Sequence, residues 1–201
     1  MGKENIKSII LAILGVIVMG YGIGAISKIG LGADPLTALY YALMNITGLT
    51  LGTITAIFNL GMFIIGFLLN RKNVGIATAL FIFISKWPVD FGYEHAIVSE
   101  HFAVNVILCI LALFIIGLGA AFFIVSGLGA NAYDSIVLGI CDRLNKPDKF
   151  VVVKYILDGI ALVLAIILKG TIGIGTLLSF ALIGVFTKLS QKALIKIFKL
   201  D

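Results

Sequence analysis

The strongest chemical signal is a carboxylate in the middle of an apolar stretch. Asp158 is the single charge between Tyr155 and Leu168, and an ionised acid at the centre of a membrane helix costs at least ~2.5 kcal/mol on insertion scales. A residue held at that cost is expected to serve either as a site for a proton or cationic solute, or as a structural pair with Lys154 one turn earlier. Asn59 lies at a similar depth in another apolar stretch, Leu51 to Leu69. It can contact solute or fix helix packing through an interhelical hydrogen bond. Asp34 and Asn131 each follow a glycine-rich break. Both are favoured helix caps, and Pro35 suits a first helical position. The first-turn amides behind them could also wall two half-sites. Thr37, Asp134 and Ser135 follow one turn later and would line the same space. Asp34, Asn59, Asn131, Asp134 and Asp158 are therefore the candidate substrate-binding residues.

The elements that must carry these groups are membrane helices. Hydrophobic residues make up 61% of the 201-residue chain and charged residues 12%, about half the charge of an ordinary soluble domain. Uncharged runs cover 8–27, 51–69, 73–85, 102–126 and 170–187, and roughly 20 apolar residues at ~1.5 Å each span the hydrocarbon layer. The first run leads straight into more membrane sequence without a small-x-small cleavage site, so it is read as a span and not as a signal peptide.

The chain also repeats itself. Gly30, Leu31, Gly32 and Ala33 recur as Gly127, Leu128, Gly129 and Ala130, 97 residues on. Gly75, Ile76, Thr78 and Leu80 recur as Gly173, Ile174, Thr176 and Leu178, 98 residues on. Each half reads as a long helix, a glycine break, a short helix and two further long helices. The short pieces, 34–46 and 131–144, are too short to cross and are expected to be re-entrant or interfacial.

The predicted fold is thus all-α: a polytopic transmembrane bundle of six spans, formed by two inverted three-span repeats, each with a short re-entrant or interfacial helix. Residues 1–201 form a single membrane domain, with repeats over 7–92 and 103–189 and a basic interfacial tail over 190–201. Of the 15 lysines and arginines, all but Lys28, Lys86 and Lys169 fall on the side of the amino terminus. That asymmetry predicts a multi-pass protein of the inner (plasma) membrane with both termini cytoplasmic. An eight-span version divides the charges almost as unevenly, so span length carries the choice.

Several classes are disfavoured. The net charge of +5 sits at span ends and suits anionic lipid, so no nucleic-acid partner is expected. Cys109 lies in a span and Cys141 in a loop assigned to the cytoplasm, which argues against a disulfide. Glu94, His95, Glu100 and His101 fit no metal-ligand spacing. Nucleotide loops, nucleophile elbows and zinc His-Glu patterns are lacking, so neither enzyme activity nor a cofactor is expected.

A further pattern is Gly30, Gly32 and Asp34, then Gly48, Leu49, Thr50 and Gly52, then Gly75, Ile76, Ala77 and Thr78, and finally Asp90. In this pattern the chain resembles the bacterial YczE/YyaS/YitT group of integral membrane proteins. The second half keeps the helix-opening signature as Gly173, Ile174, Gly175 and Thr176, whereas Ala77 replaces a glycine and no tryptophan follows the glycine loop. The resemblance implies a membrane location more than an activity. Inverted repeats with broken helices recur in secondary transporters, so the leading expectation is a small-solute transporter or carrier with a midplane site. The alternatives are a non-transporting scaffold or regulatory subunit and a substrate-binding component of a larger uptake complex. Expected partners are the lipid bilayer and a small-molecule solute, with a second copy or another protein under those alternatives.

Overall fold

The computed structural model describes residues 3–129 and 131–198. Ala130 of the second glycine break and residues 199–201 of the basic tail lie outside the described residues. The described chain is all-helical: α1 (Lys3–Ile29), α2 (Pro35–Thr47), α3 (Leu51–Leu69), α4 (Ile76–Ile84), α5 (Lys86–His95), α6 (Phe102–Ser126), α7 (Ala132–Arg143), α8 (Phe150–Ile167) and α9 (Ile174–Phe198). Five of these, α1, α3, α6, α8 and α9, are long and apolar enough to cross a membrane. Large side chains such as Leu68, Phe83, Ile160, Ile167 and Leu177 face outward, an arrangement that water would penalise and lipid accepts.

The third apolar stretch of the first half is not one helix. It divides into α4 and α5 at Ser85, each too short to cross alone. Pro88 has no N–H to give the carbonyl of Ile84, and proline in a helix interior bends it. Hydrogen bonds from the Ser85 amide to Phe81 (2.9 Å) and from the Val89 amide to Ser85 (3.0 Å) carry the helical path through the bend. Lys86, Trp87 and Pro88 open α5.

The core is an antiparallel pair of long helices, α1 and α6. Gly15 faces Phe123, while Gly22 faces Ile116 and Ala112, so residue numbers rise along one helix as they fall along the other. Small residues let two membrane helices approach closely enough for dispersion to hold them. On the outer flanks α5 packs on α1, with Pro88 over Gly20, and α9 packs on α6, with Phe186 over Gly117. Gly20 and Gly117 are 97 residues apart, and Pro88 and Phe186 are 98 apart.

The short helices cross over. α2 packs on α8, where Gly170 approaches the Ala38 carbonyl, and α7 packs on α3, where Gly66 approaches Ser135 and Gly139 approaches Leu69. The glycine breaks cross over as well. Gly30 and Gly32 (φ 74° and 95°) reverse the chain after α1, and Gly127 and Gly129 (φ 65° and 115°) do so after α6; these angles favour glycine. The Leu31 carbonyl in the first break accepts from the Gly175 amide (2.8 Å), and the Leu128 carbonyl in the second accepts from the Ala77 amide (3.2 Å).

At the rim, the Lys7 ammonium donates to the Phe198 carbonyl (2.7 Å), joining the start of α1 to the end of α9. Arg143 donates to the Leu68 carbonyl (2.9 Å) and ties the end of α7 to the end of α3. Cations at helix carboxyl ends are favourable partners of the exposed carbonyls.

A methyl group on Gly75 would overlap the Leu128 carbonyl, and one on Gly175 would overlap the Gly32 carbonyl, whereas Gly61 and Gly159 have open space. Gly75→Val and Gly175→Val are expected to cost about 1–3 kcal/mol each, read as a lower Tm of the purified protein in detergent. Gly61→Ala and Gly159→Ala are expected to stay within ~0.5 kcal/mol.

Candidate functional site

Both predicted caps are formed. Asp34 precedes α2 and its Oδ2 accepts from the Thr37 amide (3.1 Å); Asn131 precedes α7 and its Oδ1 accepts from the Asp134 amide (2.8 Å). Each satisfies one of the amides that a helix start leaves without a partner. Asn131 also donates through Nδ2 to Asp134 Oδ2 (2.7 Å). Ser135 is buried and turns its hydroxyl back to the Asn131 carbonyl (2.9 Å).

From these caps a charged chain runs to the middle of α8. Asp134 Oδ1 forms an ion pair with the Lys154 ammonium at 3.0 Å. That ammonium also lies over the Tyr133 ring, 4.5 Å from its centroid. The Tyr133 hydroxyl donates a short hydrogen bond to Asp158 Oδ1. Asp34, arriving from α2, interacts electrostatically with both Asp158 and Lys154. Residues from the start of α2, from α7 and from α8 thus share one electrostatic cluster, with Asp34 lying 97 or more positions before the others. Its groups are partly buried, where charge–charge interactions are stronger than in bulk water.

Four of the five sequence-derived candidates meet here: Asp34, Asn131, Asp134 and Asp158. Asn59 is buried in α3 and donates to the Thr55 carbonyl of its own helix (2.7 Å). The pairing of Lys154 with Asp158, one of the two readings of that carboxylate, is not what the structure shows. Lys154 goes to Asp134 because the first turn of α7 lies beside it, and Asp158 takes the Tyr133 hydroxyl instead. Tyr133 is the group that sequence reasoning missed. It replaces Leu36 of the other half, and that exchange of an apolar for a hydrogen-bonding side chain was the available signal.

Asp90 lies within α5 and caps another helix. Its Oδ1 accepts from the Gly52 amide (2.7 Å) and its Oδ2 from the Thr50 hydroxyl (2.8 Å). A carboxylate at the positive end of α3 is stabilising. Gly52 permits the approach, since a methyl there would overlap the Lys86 carbonyl. Gly48, at φ 72°, supplies the turn out of α2. The glycine-leucine-threonine step and the distant aspartate are thus parts of one joint. Elsewhere His95 stacks on Phe91. Among the described residues no three His, Cys, Asp or Glu side chains gather to hold a metal ion, and Cys109 and Cys141 are buried free thiols.

Asp90→Ala removes two charge-assisted bonds at the start of α3 and is expected to destabilise the protein by about 2–4 kcal/mol. Asp90→Asn keeps acceptor and shape and should lose about half as much. Thermal unfolding in detergent reads both.

Comparison with known proteins places this architecture among membrane proteins. The chain is 30% identical over 174 residues to the uncharacterized protein YyaS of Bacillus subtilis (strain 168), covering 85% of this chain and 86% of that one. It is 28% identical over 193 residues to the uncharacterized membrane protein YczE of the same organism, covering 88% and 81%. An uncharacterized protein of Haemophilus influenzae is 26% identical over 180 residues, covering 89% and 80%. These matches bear out the YczE and YyaS resemblance. No solved structure matches. The model of the family of unknown function DUF6198 matches residues 6–192, and the chain belongs to that family.

Proposed function

We propose that the protein is a small-solute carrier of the inner membrane, built from two inverted three-span repeats, with its solute site at the cluster of Asp34, Tyr133, Asp134, Lys154 and Asp158. In this reading α4 and α5 together make the sixth span, bent at Pro88. The observation that carries it is the meeting of both short-helix amino ends with Asp158, which sits midway along α8. Broken helices whose positive ends and flanking side chains converge at mid-depth are how many carriers build a site without exposing irregular backbone to lipid.

Three observations support the inverted arrangement. α1 and α6 run antiparallel. The crossed hydrogen bonds Leu31–Gly175 and Leu128–Ala77 join positions equivalent under the 97 and 98 shifts. Both helix openings also carry the same local bond, from the Gly75 amide to Thr78 Oγ1 (3.2 Å) and from the Gly173 amide to Thr176 Oγ1 (3.3 Å). The Lys7–Phe198 contact supports placing both termini on one face, the cytoplasmic one by the lysine bias.

Reconstitution into sealed vesicles tests the carrier. Asp158→Asn is expected to reduce solute or proton flux to background while the protein keeps its Tm. Tyr133→Phe, which removes one charge-assisted bond, should slow flux about tenfold. Loss of neither would remove the cluster from the mechanism. The topology is tested with single cysteines at Leu49→Cys and Lys146→Cys in a background lacking Cys109 and Cys141. An impermeant thiol reagent is expected to reach them from opposite faces, and labelling of both from one face sinks the inverted arrangement.

A further inference from the structure

Between α3 and α4 the chain makes a short turn, and the two helices leave an open groove of about 360 Å³ beside it, within the size range of small-molecule sites. Phe63 and Phe67 of α3 and Ile76 and Ala79 of α4 line it, with Gly75 between them, and Arg71 supplies its charge. The two phenyl rings are stacked, 6.3 Å between centroids, and make one aromatic wall. The Arg71 guanidinium lies over the Phe67 ring, 5.5 Å from its centroid. A guanidinium stacked on a ring keeps its N–H groups in its own plane, clear of the ring and able to bind two oxygens at once. Among the described residues no carboxylate forms an ion pair with it.

The charges around the groove point the same way. Lys72 follows Arg71 and is exposed, and Arg143 reaches the Leu68 and Leu69 carbonyls at the end of α3. Against these three cations stands Asp142, which is bonded to Asn70. The corner is therefore positive, and it lies at the polar end of a helix long and apolar enough to cross a membrane, the level at which phospholipid headgroups sit. An occupant that satisfies the whole groove needs both an anionic group for Arg71 and a hydrocarbon part to lie along the phenyl rings. Free phosphate meets only the first need, and a zwitterionic lipid brings its own cation to a corner that already holds three.

We infer that this groove is a binding site for one anionic phospholipid, with its phosphate on the Arg71 guanidinium and an acyl chain along Phe63, Phe67 and Ile76. Gly75 connects the site to the rest of the fold. It lines the groove, and it is also packed on the Leu128 carbonyl, where the second glycine break meets the opening of α4. A lipid in the groove covers that joint and stabilises it. The site stands whether or not the protein moves solute.

The test is thermal unfolding of the purified full-length protein in detergent at constant ionic strength. Dioleoylphosphatidylglycerol, dioleoylphosphatidylcholine and glycerol phosphate are titrated in separately. Phosphatidylglycerol is expected to raise Tm saturably, at about tenfold lower concentration than phosphatidylcholine, and glycerol phosphate is expected to leave Tm unchanged. Arg71→Gln should weaken phosphatidylglycerol about tenfold and leave phosphatidylcholine as it was. Phe67→Ala, which removes the ring beneath the guanidinium and part of the apolar wall, should weaken both lipids about fivefold. Lys192→Gln, at an exposed cation of α9 that does not line the groove, should change either lipid by less than about twofold. Equal losses of phosphatidylglycerol in Arg71→Gln and Lys192→Gln would mean diffuse attraction to basic surface and overturn the site. Equal stabilisation by both lipids, or stabilisation by glycerol phosphate, overturns it as well.

Discussion

Where a helix stops inside an apolar environment, its last carbonyls and the next helix's first amides have no water to turn to, and each unsatisfied group is costly. Two such stops, one after α1 and one after α6, govern this structure. The caps of Asp34 and Asn131 satisfy first-turn amides within each half, and a carbonyl of each break is satisfied from the other half. The Leu31 carbonyl is taken by the opening of α9 and the Leu128 carbonyl by the opening of α4. These bonds require glycine at the facing positions, because any side chain on Gly75 or Gly175 would meet backbone. The antiparallel seam of α1 and α6 brings the two halves close enough to make them. Seam, breaks and openings therefore form one mutually dependent unit, and the short helices project from it.

On that symmetrical frame the chemistry is lopsided. Both breaks end in a capping side chain, but the first half follows its cap with Leu36 and Thr37 where the second has Tyr133 and Asp134. Lys154 and Asp158 likewise belong to the second half. The first half instead puts a half-buried carboxylate, Asp90, to structural use at the start of α3. Packing follows the same division: α3 rests against α4 and α5, whereas the face of α8 bearing Val152, Ile156, Ile160 and Val163 is exposed. The first half is the firmer support, and the second carries most of the ionisable groups.

The sequence made legible whatever depends on local pattern. Apolar run lengths located the long helices, the glycine recurrences located the breaks, and Asp34 and Asn131 were recognisable as caps from residue type alone. Asp158 stood out because a carboxylate among aliphatic neighbours is costly. What stayed hidden was every relation between distant segments. The crossing of α2 onto α8 and of α7 onto α3 brings together residues about 70 to 130 positions apart, and no periodicity encodes it. Lys154 lies one turn from Asp158, so a local rule favoured the wrong partner; only tertiary placement shows Asp134 to be nearer. Pro88 was visible, but whether the chain would stop or bend there depended on its packing over Gly20. The capping role of Asp90 stayed hidden because its partners, Thr50 and Gly52, lie at the start of a different helix.

The crossed bonds also impose an order of events on synthesis. Gly175 follows Leu31 by 144 residues, and at about 5–20 residues per second the ribosome takes roughly 7–29 s to supply it. Throughout that interval the backbone acceptor of the first break is unclaimed, and for most of it α2 has no α8 to rest on. The nascent first half must therefore be sheltered by lipid headgroups, translocation machinery or transient water until the last helix emerges. The arrival of α9, and not the finishing of the first half, is the moment at which the Leu31–Gly175 bond can close.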